Sequence, residues 1–194
     1  MGLIQVATTT VTSPTASVIL TGIDDNSVYM CVVSNVSNNS GNYQLRMRVA
    51  NGGTQDSSAD YDYASKQIRT ISFGNNAVTN ATFFGATTTG TATNEVQNYI
   101  FYFYNWYDAS EYSFWTIEET SFDSNSRLTG EQGGCVFTQA ERHDSVRFFT
   151  GNSVTLPKGN LINPLIHWSI LLYSPVEISI SDNLSKLLIA IDFV

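Results

Sequence analysis

The chain has 194 residues and a formal net charge of −8, with 13% of residues charged and 42% hydrophobic. That length suits one domain with a sizeable core, and the acidity argues against an extended phosphate backbone as partner, because the nine basic residues gather nowhere beyond Arg46 and Arg48. Twenty-one Thr, 22 Ser and 17 Asn against three Lys make a vocabulary of strands and turns rather than of surface helices.

In chain order, β-branched residues predict strands over 4–11 and 16–23, with Pro14 as the corner between them. Asp24-Asp25-Asn26-Ser27 reads as a turn before a strand over 28–36, and a second turn follows at 38–42. The cleanest alternation is Tyr43-Gln44-Leu45-Arg46-Met47-Arg48-Val49. It points Tyr43, Leu45, Met47 and Val49 at a core and Gln44, Arg46 and Arg48 at water or a partner, unless the register slips by one. Asn51-Gly52-Gly53 closes this unit. Residues 58–64 read as an ordered loop or single helical turn ahead of a strand over 67–73. Gly74-Asn75-Asn76 reads as a turn, 82–88 as a strand and 90–94 as a small-residue loop.

The densest signal comes next: Tyr99-Ile100-Phe101-Tyr102-Phe103-Tyr104-Asn105-Trp106-Tyr107, running on to Tyr112, Phe114 and Trp115. Such a run favours strands buried on both faces, or buried on one face and binding something on the other. A long polar loop is expected over 121–134, then short strands over 135–138 and 145–149. Some nine strands at this spacing indicate an all-β, antiparallel β-sandwich of jelly-roll-like form over residues 1–159. Residues 160–194, rich in Leu and Ile, with Asn163-Pro164 and Ser174-Pro175 as breaks and an alternating stretch over 176–181, are expected to form a C-terminal extension or assembly arm. No segment has the 18 or so uninterrupted apolar residues of a membrane helix, and the N-terminus lacks a signal-peptide pattern.

Several segments together resemble a known family. They are Thr-Val-Thr-Ser-Pro-Thr-Ala-Ser-Val near the start, Ser58-Ala59-Asp60-Tyr61-Asp62-Tyr63, Ser110-Glu111-Tyr112-Ser113-Phe114, and Gly130-Glu131-Gln132-Gly133-Gly134 followed by Val146-Arg147-Phe148-Phe149. In this order they resemble the tail-fibre-like virion structural proteins of marine tailed phages, over residues 11–159. The resemblance implies a jelly-roll-like module on a virion, assembled as a homo-oligomer, typically a trimer, with no enzymatic activity attached to its motifs. The extension after Gly159 has no counterpart in that pattern.

Catalytic signals are sparse. His143-Asp144-Ser145 sets three triad residue types side by side, but neighbours in a strand or turn point apart, and no nucleophile elbow supports them, so a surface turn is expected. His167 reads as a half-buried strand histidine. Glu118 and Glu119 project to opposite faces of a strand, and Asp60 and Asp62 share a face of a loop-like segment; solvation or turn capping explains both pairs. Asp24-Asp25-Asn26 and Asp60-Tyr61-Asp62 offer hard oxygens without the spacing of a calcium loop. Cys31 and Cys135, distant and in apolar surroundings, read as small buried hydrophobes.

The candidate ligand-binding residues are therefore aromatic: Tyr61, Tyr63, Trp106, Tyr107, Tyr112 and Trp115, whose flat faces suit stacking on sugar rings. The same rings suit a sandwich interior or a subunit interface, and the sequence does not decide between these. The expectation is a non-enzymatic virion component without cofactor or metal. Its partners would be other virion proteins, further copies of itself and a host-surface glycan, with no nucleic acid and no membrane insertion. The alternatives are a capsid decoration or cement protein bound to the head shell, and a fibre-borne glycan hydrolase.

Overall fold

Alternation of apolar and polar residues with period two forces a chain to bury one face of each strand, and a second sheet is the simplest cover for that face. A computed structural model of the chain describes residues 2–37, 43–92, 94–151, 156 and 161–169, and among these it contains strands and no helix. The strands are β1 (Gly2–Thr10), β2 (Ser17–Thr21), β3 (Tyr29–Val36), β4 (Tyr43–Asn51), β5 (Thr54–Gln55), β6 (Tyr61–Arg69), β7 (Ser72–Ala81), β8 (Phe84–Thr89), β9 (Gln97–Tyr104), β10 (Tyr112–Phe122), β11 (Leu128–Ala140), β12 (Ser145–Thr150) and β13 (Leu161–Ser169).

They form two antiparallel sheets packed as a β-sandwich. The large sheet runs β1-β13-β3-β9-β10-β11-β6-β7, and the small one runs β2-β12-β4-β5, with β8 also paired to β4. The core lies between them. Tyr29, Cys31 and Val33 of β3, Tyr99, Phe101 and Phe103 of β9, and Trp115 and Ile117 of β10 face Leu20, Leu45, Met47, Val49, Val146 and Phe148. Rings bridge the sheets directly, with Phe101 5.5 Å from Phe148 between centroids and Phe84 6.3 Å from both Phe101 and Trp115. On β4 the expected alternation is present: Leu45, Met47 and Val49 are buried, while Gln44, Arg46 and Arg48 lie on the outer face. Gly52 and Gly53, both at positive φ (57° and 78°), make the two-residue turn that joins β4 to β5, where only glycine takes two left-handed positions at little cost.

Four local expectations are corrected. Residues 61–64 are the first half of β6, with Tyr61 facing the core and Asp62 the outer face, rather than a loop. The expected strand over 67–73 contains the β6–β7 turn, since Arg69 pairs with Ser72. Gly74-Asn75-Asn76 is inside β7, an edge strand, where polar residues and glycine are tolerated because one rim meets water. The loop expected over 121–134 shrinks to residues 123–127, because Phe122 pairs with Leu128 and the ladder continues back to Ser113 and Phe137. Asp123 closes that loop, accepting from the backbone N–H of Asn125 (2.9 Å) and Arg127 (3.1 Å) and pairing with the Arg127 guanidinium (2.7 Å).

Two glycines within the expected loop mark close strand contact instead. A Cβ at Gly130 would lie 2.7 Å from the Glu119 carbonyl oxygen, and one at Gly133 would lie 2.4 Å from that of Ala64.

The boundary expected after residue 159 is also corrected. β13 sits in the interior of the large sheet, hydrogen-bonded to β1 on one side and β3 on the other. Pro164 falls at a register shift between Asn163 and Leu165, which takes its missing N–H out of the regular ladder. The expected turn at 38–42, the His167 side chain and residues 170–194, including the alternating 176–181, lie outside the described residues.

Candidate functional site

The six aromatic candidates fall into three groups. Tyr61, Trp106 and Trp115 are core residues, which corrects their assignment to ligand binding: a sugar cannot stack on a ring whose faces are already covered. The Tyr61 ring packs edge-on to Phe137 at 5.0 Å, and its hydroxyl donates to the Asp56 carbonyl (2.9 Å) and accepts from the Val49 N–H (3.2 Å). Burial pushes the Tyr61 phenol well above the usual range. Trp106 packs 4.3 Å from Phe103 and donates its indole N–H to the Ser145 carbonyl (3.3 Å). Tyr63 is half-buried against Phe84 at 5.2 Å. Tyr107 and Tyr112 remain accessible at one end of the sandwich, Tyr107 beneath the Arg142 guanidinium at 4.8 Å and Tyr112 45% exposed. The aromatic run is thus split by parity: Tyr99, Phe101 and Phe103 point inward, while Ile100, Tyr102 and Tyr104 lie half-buried on the outer face.

That outer face is the first feature suited to recognition. One ladder row crosses it as Met30, Tyr102, Thr116, Gly134, Ala64 and Ala77, without a charged residue. Its small side chains leave a trough of about 600 Å³, walled by Tyr104, Phe114 and Val136, with Phe114 42% exposed. Glu118 and Lys66 stand one row away on the same face, and Asp62 borders the trough. A second apolar group, Ile68, Ile71, Phe73, Phe122 and Leu128, is exposed where the β6–β7 and β10–β11 turns meet.

The second feature is polar and internal. Beyond Ile117 the inward residues of β10 are Glu119 and Ser121, opposite Glu131 and Thr129 of β11. Glu119 and Glu131 are direct cross-strand partners, so their Cβ atoms are about 4.5–5.5 Å apart, and they are only 6% and 1% exposed. The Thr87 hydroxyl donates to Oε1 of Glu119, and the Ser65 hydroxyl to Oε1 of Glu131. Burial raises both carboxyls, Glu119 to about 7, with the neighbouring hydroxyls opposing the shift. A polar cleft of about 310 Å³ opens between the sheets beside the pair, lined by Thr87 and Thr129 together with Gln44, Gln67, Arg69 and Asn76.

Both acids stand on one sheet as neighbours and are closed from solvent. They therefore do not flank a substrate as the separated acids of a glycosidase do.

Glu119 is thus buried rather than solvated, a correction that the Trp115, Ile117, Glu119 parity already carried. Its partnership with Glu131 was hidden because residues 128–134 read as loop.

The remaining constellations resolve into structure. Asp24 and Asp25 both take part in hydrogen bonds with the Tyr29 hydroxyl, while Asp60 accepts from Gln139 (3.1 Å) and Asp62 from the Asn80 N–H (2.7 Å). The expected surface turn at 143–145 is corrected: His143 is 1% exposed, packed 5.1 Å from Phe137, and burial holds it down at about 4. Ser145 donates to Asp144 (2.7 Å), whose carboxylate accepts from the Gly52 N–H (3.0 Å), which is a structural clasp rather than a triad. Cys31 and Cys135 are free and buried, their thiols pushed up by desolvation. Arg46 and Arg48 gain a third neighbour in Arg147, opposite Arg48, and lie over Phe83 (4.2 Å) and Phe149 (4.9 Å). Compared with protein-family models, with curated proteins and with solved structures, the chain returns no match.

Proposed function

We propose that the chain is a non-enzymatic virion structural module of the tail-fibre-like kind, assembling with further copies of itself through the outer face of its large sheet. The observation that supports this reading is the uncharged row from Met30 to Ala77 with its apolar trough. Depletion of charge at the centre, aromatic walls and a polar border are the composition of an interface core. A second copy fits better than a polar ligand, because a trough walled by Tyr104, Phe114 and Val136 offers little hydrogen bonding to sugar hydroxyls. Assignment to a virion rests on the family resemblance of the sequence. In this reading Tyr107 and Tyr112, at the loop end of the sandwich, are left to meet a host-surface glycan.

Light scattering coupled to size exclusion tests the assembly. The wild-type chain should elute as a homo-oligomer, and Phe114→Glu or Ala64→Arg should give a monomer with an unchanged far-ultraviolet spectrum. A wild-type monomer at concentrations up to about 1 mM, where even contacts of about 4 kcal/mol would register, refutes it. Gold-labelled antibody on particles then separates a tail fibre from a head-shell decoration protein, and unlabelled particles refute the virion assignment.

A further inference from the structure

The acid pair is under-satisfied in a way that the assembly reading does not use. In both Glu119 and Glu131 one carboxylate oxygen receives a hydroxyl, while the other, Oε2, is enclosed with no hydrogen-bond partner. A third enclosed oxygen has the same character. Tyr99 stands directly opposite Glu119 on the inner face of β9, is 2% exposed, and its hydroxyl has no partner. Burial, and after it the two carboxylates, oppose ionisation of its phenol.

Among the described residues neither glutamate takes part in an ion pair. The arginines of the adjoining cleft are engaged elsewhere, Arg127 with Asp123 and Arg69 with Gln67. Two buried carboxylates without a counter-charge call for a proton or a cation, since isolated buried charge is strongly unfavourable.

The surroundings favour a cation. The side chains around the orphaned atoms are mainly oxygen donors, namely two carboxylates, the Tyr99 phenol and the hydroxyls of Thr87, Ser65, Ser121 and Thr129, with the Asn76 amide also facing Glu131. That is the donor set of a hard ion. Among the described residues no third acidic, histidine or cysteine side chain joins the group. One or two carboxylates completed by neutral oxygens and water is the usual way in which Mg²⁺ is held, and weakly held Ca²⁺ can be bound similarly. The polar cleft shares Thr87 and Thr129 with the surroundings of the pair and is the side from which an ion would enter.

We propose that Glu119 and Glu131, completed by the Tyr99 hydroxyl, form a binding site for a hard divalent cation that fastens β9, β10 and β11 together at the polar end of the sandwich. The proposal is independent of how copies of the chain assemble. Its logic is linkage: an ion bound only by the folded state stabilises it by RT ln(1 + c/Kd) at ion concentration c, so the unfolding temperature keeps rising with ion concentration.

The test uses the full chain stripped with a chelator. Thermal unfolding is followed with Ca²⁺, with Mg²⁺ and with choline chloride at matched ionic strength, alongside Tb³⁺ luminescence excited through nearby rings. Either divalent ion should raise the unfolding temperature, the larger shift naming the ion, and Ca²⁺ should displace Tb³⁺. Glu119→Gln and Glu131→Gln should remove both responses, and Tyr99→Phe should weaken Tb³⁺ binding by about tenfold. Glu118→Gln, which alters an outward neighbour on β10, should leave them intact. A wild-type chain unmoved by millimolar cation overturns the proposal in favour of a shared proton. Equal responses from wild type and both Gln variants, or loss of the response in Glu118→Gln, also overturn it by assigning the ions to the acidic surface.

Discussion

Replacement of His143 by Phe should change how stability depends on pH far more than stability at neutral pH. The imidazole is 1% exposed, set between Trp106 (6.0 Å) and Phe137 (5.1 Å), and its Nε2 has no hydrogen-bond partner. Burial lowers its value from 6.5 to about 4. Between those values the unfolded chain takes up a proton that the folded chain refuses, so this contribution is complete above pH 6.5 and is lost as pH falls toward 4. At about 1.4 kcal/mol per pH unit the whole loss is about 3 kcal/mol, of which about 2 kcal/mol is spent by pH 5. Glu119 works in the opposite sense: its folded-state value is raised to about 7, so what it contributes is present below about pH 4.5 and drains away as pH rises through 7. The measurement is therefore a difference of differences. Urea unfolding followed by tryptophan fluorescence, at pH 7.5 and pH 5 with chelator present, should show wild type losing about 2 kcal/mol more than His143→Phe between the two conditions. Equal losses in the two proteins would refute the reasoning, because everything other than His143 cancels.

Trp106→Ala should destabilise by about 3–5 kcal/mol, since it empties a large core site and removes the bond to the Ser145 carbonyl. Tyr112→Ala, at a 45% exposed position, should stay within about 0.5 kcal/mol; urea midpoints that rank the two the other way would return Trp106 to the surface. Adjacent glycines should differ as sharply. Gly133→Ala drives a Cβ to 2.4 Å from the Ala64 oxygen and should cost about 1–3 kcal/mol, whereas Gly134→Ala, whose Cβ would lie 4.0 Å from the Trp115 oxygen, should be close to neutral. Equal thermal shifts for the two variants would contradict the β6–β11 register.

The opposite faces of β9 and β10 tie these results together. Inward, the two strands carry the aromatic core and then, on β10, Glu119; outward, they carry their share of the uncharged row and the trough. Parity along a strand separates the two roles, so a one-residue slip would bury the outer rings and expose the carboxylates, which is why register is strongly specified here.

Local pattern was enough for the all-β class and for the inward facing of Leu45, Met47 and Val49 on β4, because alternation is written into neighbouring residues and needs no partner to be read. It was also enough to place Glu118 and Glu119 on opposite faces. It was not enough for β7 and β11, whose glycine and asparagine imitate turns until the neighbouring backbone that presses on Gly130 and Gly133 is known. Nor could composition tell a stacking ring from a packed one: Trp106 and Tyr107 are adjacent in the chain, yet one fills the core and the other lies under Arg142. The pairing of Glu119 with Glu131, the gathering of Arg147 beside Arg48 and the insertion of β13 between β1 and β3 all join residues distant along the chain. Alternation along each strand was legible from neighbouring residues alone, whereas the burial of Trp106 and Glu119 came from the packing of the whole sandwich, because sheet partners and register are not set by any single strand.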